Sequence, residues 1–166
     1  VLYAENCQIS KLSSLAGNTN LEELYASENQ IDDIAALEAC TALRVLDVSS
    51  NEITDISILP QLPELTTFKG DHNQITSVPT FDAETAKLVQ FNVNYNEIES
   101  VAGLTNLMYL NYVRADYNKI TSIAALKDCY CLIEIDVWDN PVNADEIKPL
   151  QDIGIIVNFN PNYKAA

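Results

Sequence analysis

The sequence predicts an α/β solenoid, in which short parallel strands stack into one concave sheet. Short 3₁₀/α segments or loops return along the convex side. Three observations predict it. The stretch LYAENCQIS, residues 2–10, comes back 22 residues later as LYASENQID, residues 24–32. Asn29, Asn51, Asn73, Asn96, Asn118, Asn140 and Asn162 follow Cys7 at steps of 22, with one step of 23 into Asn96. An apolar frame travels with them, as in Leu43, Leu46, Val48, Asn51, Ile53, Ile56 and Leu59. A fixed period of this length marks a repeat architecture, in which each unit buries its apolar face only against its neighbours.

Each rung begins with a strand. Side chains five and three residues before the asparagine are apolar, and those six, four and two before it are mostly polar, which is the alternation of a half-buried strand. Strands this short must stack side by side, about 4.8 Å apart. The asparagine follows, where the chain turns off the sheet and buried backbone groups need partners. Its amide carries donors and an acceptor on a short stem, so a column of amides bridges successive turns. Cys7 occupies that position in the first rung, which has a neighbour on one side only, so a weaker donor suffices there. After the turn, apolar residues recur every three, as in Ile53, Ile56 and Leu59. That spacing suits a 3₁₀ segment. DAETAKL, residues 82–88, holds the extra residue and better helix formers, and a helical turn is expected there.

The frame L-x-x-L-x-L-x-x-N-x-I-x-x-I-x-x-L, repeated along essentially the whole chain, resembles the leucine-rich repeat. Its 22-residue period, with phrases such as NEITDIS and VAGLTNL, is most similar to the bacterial internalin type. The resemblance implies a right-handed solenoid of about seven repeats plus a terminal strand, forming one domain over residues 1–166. It also implies an N-terminal cap. Val1 begins inside a strand, so the expected reading is a segment excised from a longer protein.

Composition bounds the function. Apolar residues make up 48% of the chain, enough for a core rather than disorder. A net charge of −15 repels nucleic acid and anionic lipid, and favours a basic or neutral protein partner. No apolar run reaches the roughly 18–20 residues of a membrane span. Cys40 and Cys129 share one place in different repeats, four rungs apart, too far for a disulfide. Cys129 and Cys131 lack the second ligand pair that zinc needs. His72, the sole histidine, stands three rungs from Cys7 and is read as a solvated rim residue. Glycines are scattered singly, so no phosphate loop exists. No catalytic constellation, metal site or cofactor is expected.

What remains is the outward side of the strands. Four before each ladder position stand Tyr3, Tyr25, Asp47, Lys69, Asn92, Arg114, Asp136 and Asn158. Adding the positions six, two and one before it gives nine acids against Lys69 and Arg114, a net −7 on this face. Tyr95, Tyr112, Tyr117 and Trp138 crowd its second half around Arg114. Exposed aromatics and Arg among acids are the material of interface hot spots. Tyr95, Tyr112, Arg114, Asp116, Tyr117, Asp136, Trp138 and Asp139 are therefore the candidate partner-binding residues. The plain alternative is that aromatics dress a sheet without any ligand. The internalin resemblance implies a bacterial surface or secreted protein. Two other readings stand beside it: an intracellular scaffold subunit holding an enzyme such as a phosphatase, and a spacer between domains.

Overall fold

The computed structural model describes residues 1–160; Pro161 and Asn162, assigned to the last rung, lie outside the described residues. Eight strands form one parallel sheet in chain order: β1 (Leu2–Tyr3), β2 (Glu23–Tyr25), β3 (Val45–Asp47), β4 (Thr67–Lys69), β5 (Gln90–Asn92), β6 (Tyr112–Arg114), β7 (Glu134–Asp136) and β8 (Ile156–Asn158). Equivalent positions pair across every junction, for example Leu46 with Phe68 and Phe91 with Val113. The chain is the predicted leucine-rich repeat solenoid.

Inward residues build one continuous core. Leu24, Leu46, Phe68, Phe91, Val113 and Ile135 run along the strand centres, all inaccessible to solvent. The Phe68 and Phe91 rings meet at 5.5 Å. Gly70 makes room for them, since a Cβ there would stand 2.8 Å from the Phe68 ring.

The asparagines do what their spacing predicts. Asn51 Nδ2 donates to Val48 O and Ser49 O in its own turn and to Ala26 O one rung back, while its Oδ1 accepts from Ile31 N–H. Asn73, Asn96 and Asn118 repeat all four contacts. Among the described residues every ladder amide reaches back toward the preceding rung. Cys7 keeps only the local part, with Sγ donating to Glu5 O at 3.1 Å. Among the described residues this one local contact is all the Cys7 side chain makes, and a thiol can make it. Val1, Leu2 and Tyr3 are exposed at that end.

The convex side carries 3₁₀ turns at Ser13–Leu15, Ala35–Leu37, Leu59–Gln61, Ala102–Leu104, Ala124–Asp128 and Ala144–Glu146. The rung at Asn73 differs. Residues 76–81 run without helix: Phe81 N–H, whose counterpart Leu104 N–H closes a 3₁₀ turn onto Val101 O, donates instead to Gly103 O of the next rung. DAETAKL makes the single helical turn expected of it and goes no further: Ala86 N–H donates to Asp82 O four residues back, with the Asp82 carboxylate accepting from Glu84 N–H. The α-helix instead lies in the last return, α1 (Ile147–Asp152). Just before it, Glu146 accepts from Ile123 and Ala124 N–H, capping the 3₁₀ turn of the rung behind.

Candidate functional site

Strand alternation puts Lys69, Asn92, Arg114 and Asp136 side by side on the concave face. The cations lean outward from the centre: Lys69 pairs with Asp47 at 3.4 Å and Arg114 Nε with Asp136 at 3.3 Å. Asn158 Nδ2 also donates to Asp136 at 2.6 Å. Asn92 is left between the two cations, 6% exposed, and its Oδ1 has no hydrogen-bond partner. A buried orphan acceptor of this kind costs roughly 1–3 kcal/mol. Asn92→Val is therefore expected to raise unfolding stability by about 1 kcal/mol in a denaturant titration. A loss of stability would show that the amide is satisfied.

The residue before each ladder position adopts a left-handed conformation in the first seven rungs: Asn6, Glu28, Ser50, His72, Tyr95, Tyr117 and Asp139 all have φ between 52° and 56°. This bend swings their side chains out along one rim of the sheet. Rung spacing then stacks rings in register. His72 lies flat on Tyr95, and Tyr95 on Tyr117, with centroids 4.3 Å apart in both pairs. His72 is exposed, as its rim position predicts, and is also the first ring of this stack. Trp138 is 44% exposed on the outward side, close to the exposure of Tyr95 and Tyr117.

A second ladder, not anticipated from the sequence, runs two residues before the asparagines. Asp71 Oδ1 accepts from Asn94 N–H, Asn94 Oδ1 from Asp116 N–H, and Asp116 Oδ1 from Trp138 N–H at 2.6 Å. The signal was Asp or Asn at one position in three successive rungs. It was hidden by the abundance of acids elsewhere. Asp116 thus has one carboxylate oxygen committed to holding the Trp138 backbone. Burial pushes the Asp71 and Asp116 carboxyls above the ordinary carboxylate range, Asp116 also through Asp136 and Asp139 nearby.

The folded state therefore holds protons at these two sites more tightly than the unfolded chain. Their contribution to stability falls as pH rises above the ordinary carboxylate range, and returns on acidification. Melting as the pH is lowered from neutral toward the ordinary carboxylate range is expected to show stability increasing. Asp116→Asn keeps the acceptor and removes the buried charge, as Asn94 already does, so it should melt higher at neutral pH and shrink that pH response. Asp116→Ala strands the Trp138 N–H and should lose about 1–2 kcal/mol. Equal melting of the two variants would contradict the ladder.

The structure brings Tyr95 and Tyr117 together, Arg114 with Asp136, and Asp116 with Trp138. Asp139 accepts from Asn160 Nδ2 at 2.8 Å. Tyr112 is set apart, half-buried at the opposite edge of the strands in line with Gln90 and Glu134. The thiols sit away from this face. Cys40 and Cys129 are buried, each donating to a carbonyl one rung back. No helix among the described residues is long and apolar enough to cross a membrane.

Comparison with known proteins agrees with this architecture. A family model for two copies of the leucine-rich repeat matches residues 1–39, and a single-repeat model matches residues 39–58. No curated protein matches the chain in sequence. Among solved structures, the internalin InlF of Listeria monocytogenes superposes with a TM-score of 0.80 at 21% identity, over 92% of this chain and 47% of its own. The chain thus spans about half of that protein's length. Internalin C2 from the same organism gives 0.71 at 27% identity, covering 96% of this chain and 80% of its own. A chain in an octameric complex of Latrophilin 3, Unc5D and the FLRT2 leucine-rich repeat gives 0.69 at 22% identity, over 86% of this chain and 48% of its own.

Proposed function

We propose that this chain, an internalin-like leucine-rich repeat domain, is a non-enzymatic recognition module that binds a protein through its acidic, aromatic-bearing concave face. The fold is one used for protein–protein interaction, and the FLRT2 repeat is named within a multiprotein complex. The observation that carries the reading is the coexistence, on the face not needed for stacking, of exposed Tyr95, Tyr117 and Trp138 with the Arg114–Asp136 pair. Large half-exposed rings beside charge are what interface hot spots are made of. Asn92 adds to it: a buried polar group kept without a partner is a stability sacrifice expected at functional positions.

Net negative charge on the face selects a basic or neutral surface on the partner. Likeness to Listeria internalins favours a bacterial surface or secreted setting. The contact set is Tyr95, Tyr112, Arg114, Asp116, Tyr117, Asp136, Trp138 and Asp139.

The test is alanine substitution of Trp138, Tyr117 and Arg114, singly and together. Against a partner isolated on the intact domain, each single change should weaken binding by about 2 kcal/mol or more, and the triple variant should abolish it. Melting should barely move, because none of the three is in the core. Retained binding by the triple variant would remove the aromatic face from recognition.

A further inference from the structure

Between the convex return and each strand, the chain crosses one flank of the solenoid. The side chains there stand ten, nine and seven residues before each asparagine. In the early rungs this flank is charged and paired with itself: Arg44 lies 3.3 Å from Glu22, and Lys87 lies 2.6 Å from Glu64. From the rung of Asn118 onward it becomes apolar. Met108 is 51% exposed, Tyr109 53%, Tyr130 87%, Ile133 45% and Ile153 61%, with Ile156 at the adjoining start of β8 53%.

These residues are neighbours in space. Met108 and Tyr130 hold equivalent places in successive rungs, as do Tyr109, Cys131 and Ile153. Ile156 N–H donates to Ile133 O. Half of the large exposed apolar side chains of the described residues thus collect on one flank, away from the rim that carries Tyr95 and Tyr117.

We propose that this flank is a self-association face, covered by a second copy of the chain across a twofold axis. Area supports that occupant. With roughly 200 Å² for each such side chain, the exposed fractions add to about 700–800 Å², close to one partner's share of a standard interface and above what a soluble monomer usually leaves bare. Charge supports it as well. Two chains of −15 each repel wherever acids meet acids. The acids on this flank are already engaged: Asp152 pairs with Lys148 at 2.7 Å, and Glu134, beside Ile156, accepts from Asn158 Nδ2 at 2.9 Å. Two copies can therefore close here with few acids set against one another. A symmetric contact needs only one self-complementary patch, and it leaves both concave faces open. The inference is independent of what those faces bind.

The experiment is sedimentation of the 166-residue chain over a concentration series up to about 200 µM, at about 0.15 M and 0.5 M salt, which screen the net charge to different degrees. The expected result is a monomer–dimer equilibrium that tightens with salt. Tyr130→Glu and Ile133→Glu should each shift it toward monomer by about 30-fold or more, with melting unchanged. Trp138→Ala, on the other face, should leave it alone. A chain that stays monomeric throughout both salt series overturns the proposal and makes the flank a site for another protein. A dimer indifferent to both glutamate substitutions overturns it too.

Discussion

Asn96→Ala should lower stability by about 3–5 kcal/mol, read as a shift of the denaturant midpoint. The amide donates to Gly70 O, Val93 O and Asn94 O, and accepts from Ile75 N–H, all within 3.2 Å. Alanine strands those groups in a region where Asn96 is itself buried. Each stranded group costs roughly 1–3 kcal/mol, moderated where water enters the cavity. Cys7→Ala provides the contrast. Its thiol makes one contact, at an exposed end, so the loss should stay below about 0.5 kcal/mol. A loss at Asn96 no larger than that at Cys7 would mean that the ladder does not hold the rungs together.

Gly103→Ala should lose about 2–4 kcal/mol, with melting down by about 5–10 °C. A Cβ at this position would stand 2.2 Å from Pro79 O and 2.6 Å from Val78 O. Both are backbone atoms, so no side chain can rotate aside. The close approach accompanies the missing 3₁₀ turn: the segment through Pro79 runs against the next rung, and Phe81 N–H donates to Gly103 O. Gly17→Ala separates crowding from backbone strain. Nothing lies within 4 Å of a Cβ there, but φ is +77°, so only the left-handed penalty of about 1 kcal/mol applies. If both variants melt alike, the clash at Gly103 is relieved by movement of the Pro79 segment.

The ladder, the strand positions and the outward columns were legible because a strict period repeats each physical demand in every rung. Asn51 and Asn96 could be placed from spacing alone. What broke the period was harder to see. The single turn of DAETAKL could be read from propensity, but the extended run of residues 76–81 before it could not. The Asp71–Asn94–Asp116 ladder was masked because acids are common in this chain, and only a hydrogen bond distinguishes a structural carboxylate from a solvated one. The His72–Tyr95–Tyr117 stack depends on a left-handed bend that residues of such different kinds do not announce. The apolar flank lies outside the repeating frame, where Met108, Tyr130 and Ile153 have no counterpart in the early rungs. Of the candidate site, the sequence placed the residues on one side of the sheet. The role of Asp116 came from a contact between side chain and backbone, and that of Asn92 from an unpartnered oxygen, neither of which spacing encodes.

Since every ladder amide reaches toward the rung before it, the array has a growth direction. A unit appended at the far end arrives with the very group that satisfies its predecessor, so duplication in that direction is chemically self-sufficient. The Cys7 rung is held by one local thiol contact in place of such an amide. Loss of order under stress should accordingly begin at that rung and travel along the array one coil at a time.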